Sequence, residues 1–326
     1  MSELSLLEAV NLALARSMQE DEGVVVLGED VGIDGGVFRA TDGLLDRFGE
    51  QRVLDTPLAE TTIAGLSVGL SAQGFRPVAE IQFMGIIYPC IDQLVNHASR
   101  LRNRTRGRLS CPMVLRAPYG GGIGAPEHHS ESTEAMLAHI PGLRVVIPSS
   151  PTTAYGLLLA AIRSPDPVVF LEPKRIYRAF KENVEDDGSA LPLDHCFRVR
   201  EGGDISLISW GAMMHETLAA ADELGQAGIS CEVIDIATLN PLDSQTILES
   251  VAKTGRAVIV QEAVRQGGFG AEIAAILADS GLLSLQAPVR RVAGYDTVMP
   301  LPRLEKQYMP DSQAIVNAAR DVLEFN

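Results

Sequence analysis

Short β-branched apolar runs alternate along the chain with segments whose apolar residues recur at helical spacing, the pattern of a parallel α/β sheet. The runs at 24–27, 52–54, 78–82, 113–116, 145–147 and 168–171 predict strands, and 4–20, 62–72, 89–104 and 152–162 predict helices between them. The rhythm stops at 181–197, where acidic residues give way to Gly188 and Pro192 without a helical period, so this stretch reads as an interdomain linker. A second series follows, with strands predicted at 205–210, 231–236, 257–261 and 289–292 and helices at 212–227, 243–253, 271–279 and 313–325. The expected organisation is one α/β domain over 1–180, the linker, and a second α/β domain over 198–326.

The length, 326 residues, suits two domains, and 46% hydrophobic against 21% charged residues is ordinary globular composition. Twenty-seven basic against 42 acidic residues give a net charge of −15. That balance disfavours nucleic acid and anionic membranes, both of which need clustered Lys and Arg. It leaves small-molecule chemistry or a basic partner. Glu3 and Glu8 are unlike a signal or transit peptide, and no apolar run has the length of a membrane span. A cytoplasmic location is expected. Cys90, Cys111, Cys196 and Cys231 lie far apart with no CxxC pair, which predicts free thiols rather than disulfides or a zinc site.

Three stretches carry candidate chemistry. The loop 120–125 (GGGIGA) follows a predicted strand and loosely fits a dinucleotide loop, but Pro126 and two histidines follow where such a loop opens a helix. Glu60 begins a helix after a short strand, where strand ends feed a ligand crevice. An acid there complements the helix dipole in the plainest reading. Among Leu58, Ala59, Ile63 and Ala64 it would instead be desolvated, with a raised pKa and a proton to share with a bound heterocycle. His128 and His129 precede Ser130 and suit anion binding or acid–base work, although neighbouring positions rarely face the same way. No GDG followed by Asn, the usual Mg²⁺-diphosphate signature, is present.

Collinear runs spanning nearly the whole chain then narrow the field: GEDVG (28–32), GGVFRAT (35–41), DTPLAE (55–60), GFRPVAEIQF (74–83), PGLRVVIPSSP (141–151), FLEPKRIYR (170–178), KTGRAVIVQEA (253–263) and APVRRV (287–292). Together they resemble the β chain of the thiamine-diphosphate-dependent decarboxylating component of 2-oxo acid dehydrogenase complexes, of the pyruvate dehydrogenase type. The resemblance implies a transketolase-like pyrimidine-binding α/β domain followed by a transketolase C-terminal α/β domain. It implies an α2β2 heterotetramer in which the α chain holds thiamine diphosphate through Mg²⁺ and the β chain grips the aminopyrimidine. The lipoyl acyltransferase core would dock through a basic subunit-binding domain, with Asp296 a candidate contact.

By the same resemblance, Glu60 hydrogen-bonds the pyrimidine nitrogen, and His129 holds the 2-oxo acid carboxylate and assists acyl transfer to the lipoyl group. Leu58, Gln82 and Ile86 line the pyrimidine pocket. Main-chain oxygens of Met113, Ala161, Ile162, Ser164 and Asp166 would hold a structural K⁺. Ile86 stands where the family usually has an aromatic ring, and Pro165 departs from the pattern at the K⁺ turn. GGIGAPEHHSES and DTVMP resemble pyruvate-type chains, whereas YPCIDQ and GYDT resemble branched-chain ones. A branched-chain 2-oxo acid or acetoin dehydrogenase β chain is the alternative enzyme, and a non-catalytic docking scaffold is the alternative class.

Overall fold

A computed structural model describes residues 2–325, which form two compact units. The first comprises residues up to Tyr119 together with Met136–Leu193; the second comprises Gly120–Ala135 and the chain from Asp194.

In the first unit the strands are β1 (Ser2–Leu4), β2 (Val24–Gly28), β3 (Val53–Asp55), β4 (Arg76–Glu80), β5 (Val114–Tyr119), β6 (Arg144–Val146), β7 (Val168–Pro173) and β8 (Glu182–Val184). Six of them run in the order β6-β7-β5-β4-β2-β3, every neighbouring pair parallel. Every residue of β2, β5 and β7 is buried, as a parallel sheet covered on both faces demands. The helix Leu6–Glu20 starts at Ser5 because Ser5 and Glu8 form a reciprocal capping box; Ser150 and Thr153 do the same for Pro151–Arg163.

Two expectations change here. The helix expected over 89–104 is broken into the turn Tyr88–Cys90 and the short helices Ile91–Asn96, Ala98–Arg100 and Leu101–Arg104. The break falls at His97, whose φ of −121° leaves the helical region, beside Ser99, whose hydroxyl donates back to the Val95 carbonyl at 3.0 Å. The stretch 181–197 is mostly not a free linker. Within it β8 pairs antiparallel with β1, Tyr155 Oη donates to Asp186 at 2.8 Å, and the Leu191 amide donates to the Gly156 carbonyl at 3.0 Å.

The second unit holds β9 (Phe197–Arg200), β10 (Ile205–Ser209), β11 (Cys231–Asp235), β12 (Thr238–Asn240), β13 (Ala257–Val264) and β14 (Arg290–Gly294). Its sheet runs β14-β13-β10-β11-β9, parallel except for the antiparallel edge strand β9. The helices Met213–Gln226 and Ser312–Leu323 pack their apolar faces on it through Met213, Leu224, Ile315 and Val322. Residues 120–135, which the sequence places in the first domain, fold into this second unit. Among the described residues no helix is long and apolar enough to cross a membrane.

Candidate functional site

The first cluster lies at the carboxyl ends of three neighbouring strands of the first unit, where ligands of parallel sheets bind. Glu29 follows β2, Glu60 opens the helix Glu60–Ala72 after β3, and Gln82 and Ile86 follow β4. The predicted strand 78–82 ends at Glu80, which places half-buried Gln82 in the loop beyond it. The start of the Glu60 helix is tied to the Ile86 turn: Thr61 Oγ1 donates to the Pro89 carbonyl at 3.0 Å, and Cys90 Sγ donates to the Glu60 carbonyl at 3.3 Å. Gly65 lets this helix approach the next, since a Cβ there would sit 3.3 Å from Gln93 Oε1. Asp55, ending β3, fixes the loop after β2 by accepting the Gly32 amide at 2.5 Å and the Ile33 amide at 3.1 Å.

The surroundings of Glu60 differ from the sequence reading. Ile63 and Ala64 turn into the core, while Leu58 is 67% exposed, so within this unit Glu60 is half-buried rather than enclosed. Ile86 is half-buried. Nearby, the Glu29 carboxyl is pushed up by burial and then by the charges of Asp30 and Glu60. Sequence reasoning passed over Glu29, although the run GEDVG contains it. The result is a hydrogen-bond-accepting carboxylate with exposed Leu58 and half-buried Ile86 among the apolar side chains of the same strand ends.

The second cluster is the segment 120–135 of the second unit. Gly120 is glycine for two reasons: its φ is +87°, and a Cβ would lie 2.6 Å from Glu262 Oε1. The amides of this loop do not face an open phosphate cradle. Gly121 donates to Glu262, and Gly122 and Gly124 donate to Glu305 at 2.8 and 3.0 Å. The turn Glu127–His129 follows; the His129 amide donates to the Pro126 carbonyl at 3.0 Å, and buried Ser130 donates to the same carbonyl at 3.2 Å. His129 is half-buried and His128 exposed, their rings 4.0 Å apart between centroids. Close behind, burial pushes Glu134 up to about 7, reinforced by the charge of Glu262, while the Trp210 indole donates to Glu134 at 3.3 Å.

The five oxygens expected to hold K⁺ surround the carboxyl end of the helix Pro151–Arg163, where the dipole is negative. Met113 O accepts the Val168 amide at 3.0 Å, Ala161 O the Ser164 amide at 3.2 Å, and Asp166 O the Ser164 hydroxyl at 3.0 Å. Ile162 O and Ser164 O both accept from Arg76 Nη1, at 3.0 and 3.1 Å. Each carbonyl oxygen carries a second lone pair, but the Arg76 guanidinium already sits on two of the five and its charge opposes a second cation there. Asp296 is exposed and accepts the Gln266 amide at 2.6 Å. Among the described residues no group of three or more His, Cys, Asp or Glu is placed to hold a metal ion.

Residues 2–179 match the family model described as the transketolase pyrimidine binding domain, and 194–315 that of the transketolase C-terminal domain. Over 325 residues, covering all of both chains, the sequence is 49% identical to the pyruvate dehydrogenase E1 component subunit beta of Bacillus subtilis. It is 48% identical to the protein of that name from Staphylococcus epidermidis and 46% to that of Staphylococcus aureus, at the same coverage. Among solved structures it resembles a split-gene transketolase described as an inactive beta4 tetramer, with TM-score 0.81 and 24% identity over 99% of each chain. A transketolase mutant from Pichia stipitis matches with TM-score 0.73 and 11% identity, over 99% of this chain and 46% of that one.

Proposed function

This chain belongs to the pyruvate dehydrogenase E1 β-subunit family, with transketolase-type pyrimidine-binding and C-terminal domains, and we propose that it is the β half of a thiamine-diphosphate-dependent 2-oxo acid dehydrogenase. The observation that carries this reading is Glu60, a half-buried carboxylate at the strand ends with exposed Leu58 two residues before it. When bound, thiamine diphosphate supplies the electron sink for loss of CO₂ from a 2-oxo acid. Glu60 would hold a proton against the pyrimidine nitrogen, while Leu58, Gln82 and Ile86 orient that ring and shield it from water. An α chain would hold the diphosphate and Mg²⁺. The oxygens of Met113, Ala161, Ile162, Ser164 and Asp166 would hold a structural K⁺ only against the charge of Arg76, which already donates to two of them.

His129 would bind the substrate carboxylate, then hold a proton at its imidazole for acyl transfer to the lipoyl group of the acyltransferase core. The substrate proposed is pyruvate, in keeping with the names of the relatives. Co-purification with the α chain, thiamine diphosphate and Mg²⁺, followed by decarboxylation assays on pyruvate and branched-chain 2-oxo acids and a carbon–carbon cleavage assay on acetoin, tests the reading. Pyruvate is expected to give the highest kcat/KM. Glu60→Gln is expected to abolish turnover on every substrate, and full activity in that variant would refute its role. His129→Ala is expected to lower lipoyl acylation about 10²-fold, the usual range for a positioned acid–base group.

A further inference from the structure

We propose that Glu305, assisted by Glu262, is the positioning residue of His129: its carboxylate is the internal anion that closes the glycine-rich loop and fixes the turn Glu127–His129. The inference rests on the role of His129 proposed above. Four of the six residues in 120–125 are glycine, so the loop has few side chains to anchor it and much backbone entropy to lose on ordering. Its amide hydrogens are the groups by which it can be held, and two buried carboxylates take them.

Glu305 Oε1 accepts the Gly122 amide at 2.8 Å, and Oε2 accepts the Gly124 amide at 3.0 Å. Glu262 accepts the Gly121 amide and, at 3.0 Å, the Ser132 hydroxyl, so it holds the loop on both sides of His129. The Gly120 amide donates to the Glu131 carbonyl at 2.8 Å and closes the base. Glu262 and Glu305 are 4% and 8% exposed. Carboxylates so far from water persist only with charge-assisted hydrogen bonds, and backbone amides supply them here. Backbone amides that turn toward an anion are the groups by which loops bind phosphate. Here the anion comes from the protein itself. From Gly124 the chain passes through Ala125 to Pro126, whose carbonyl accepts both the His129 amide and the Ser130 hydroxyl. Loop and turn are therefore tied by their backbone into one hydrogen-bonded unit, and His129 stands on it.

Hydrogen exchange of the peptide 120–135, measured on the full chain with its α partner, reads the clamp independently of any activity. Glu305→Ala is expected to speed exchange there at least tenfold and leave the strands of both units protected. In the same protein, kcat for lipoyl acylation is expected to fall on the order of 10²-fold with KM for the 2-oxo acid little changed, the cost of displacing a reacting group by about 1 Å. Glu305→Gln, which keeps an acceptor oxygen, should restore part of both. If the alanine variant does not accumulate, Glu305→Asp, which withdraws the carboxylate by one methylene, makes the same measurement. Unchanged exchange overturns the clamp, and faster exchange with wild-type kcat overturns the positioning of His129. A wild-type assembly inactive on every 2-oxo acid refutes the reading of His129, while the exchange result still decides the clamp.

Discussion

Arg116 and Glu172 face each other inside the first unit as a two-point ion pair, Nε to Oε1 and Nη2 to Oε2 both at 2.7 Å, with side chains 1% and 0% exposed. Arg116 also donates to buried Glu80, and Tyr177 Oη donates to Glu172 at 2.5 Å. Two carboxylates thus share one guanidinium, and Glu80 is driven toward its neutral form by burial. Arg116→Met would leave both acids without a cation. A loss of about 3–5 kcal/mol is expected, the usual cost of stranding one partner of a buried pair, read as a lower midpoint in urea.

Restoring a ring at position 86 should tighten cofactor binding. Ile86 ends the short turn Met84–Ile86 and is half-buried beside the Glu60 helix. An offset-stacked aromatic pair contributes about 0.5–1.5 kcal/mol beyond the area it covers. Ile86→Phe in the α–β assembly is therefore expected to lower the Kd for thiamine diphosphate roughly two- to tenfold in a calorimetric titration. No change, or weaker binding, would remove stacking as the function of this position.

Glu134 gives the second unit a pH dependence of definite sign. Its carboxyl is raised from 4.5 to about 7 by burial, so the folded chain keeps a proton that the unfolded chain has released. The stability tied to this group is fully present below pH 4.5 and is lost as the pH rises through about 7. The difference between the two limits is roughly 3 kcal/mol. Glu134→Gln can still accept from Trp210 and has no charge to bury. The variant is expected to match the wild type near pH 5 and to exceed it near pH 8 in urea unfolding, and parallel pH profiles would sink the assignment.

Docking of the proposed basic partner should be electrostatic. Asp296 is exposed, and its position is fixed by the Gln266 amide at 2.6 Å. Affinity for a basic subunit-binding domain is expected to fall as added salt shortens the Debye length. Asp296→Asn should weaken binding a few-fold at low salt and converge on the wild type near 1 M, where screening reaches about 3 Å. Salt-insensitive binding would place the contact elsewhere.

Local signals carried much of the fold and part of the site. Ser5 and Ser150 mark helix starts by side-chain chemistry that acts within three residues. Glu60 is visible because a strand, a short loop and a helix in succession place the first helical residue at a sheet's carboxyl end. Glu29 stands in a visible run beside Asp30, but its raised pKa arises first from burial and then from the charges of Asp30 and Glu60, and neither the burial nor the approach of Glu60 is encoded in local spacing. Glu262 and Glu305 escape because their partners lie 141 and 183 residues away and neither carries a local pattern. The break at His97 is hidden because the apolar period continues across it while the backbone does not.

The residence of 120–135 with the second unit has a consequence for descent. These residues fall inside the span matched by the pyrimidine-domain model, yet Glu262 and Glu305, which hold them, lie inside the span of the C-terminal model. The two domains are not interchangeable cassettes. A chimera joined near residue 194 would pair one parent's glycine loop with another parent's glutamates, so recombination between relatives is constrained to inherit loop and anchors together.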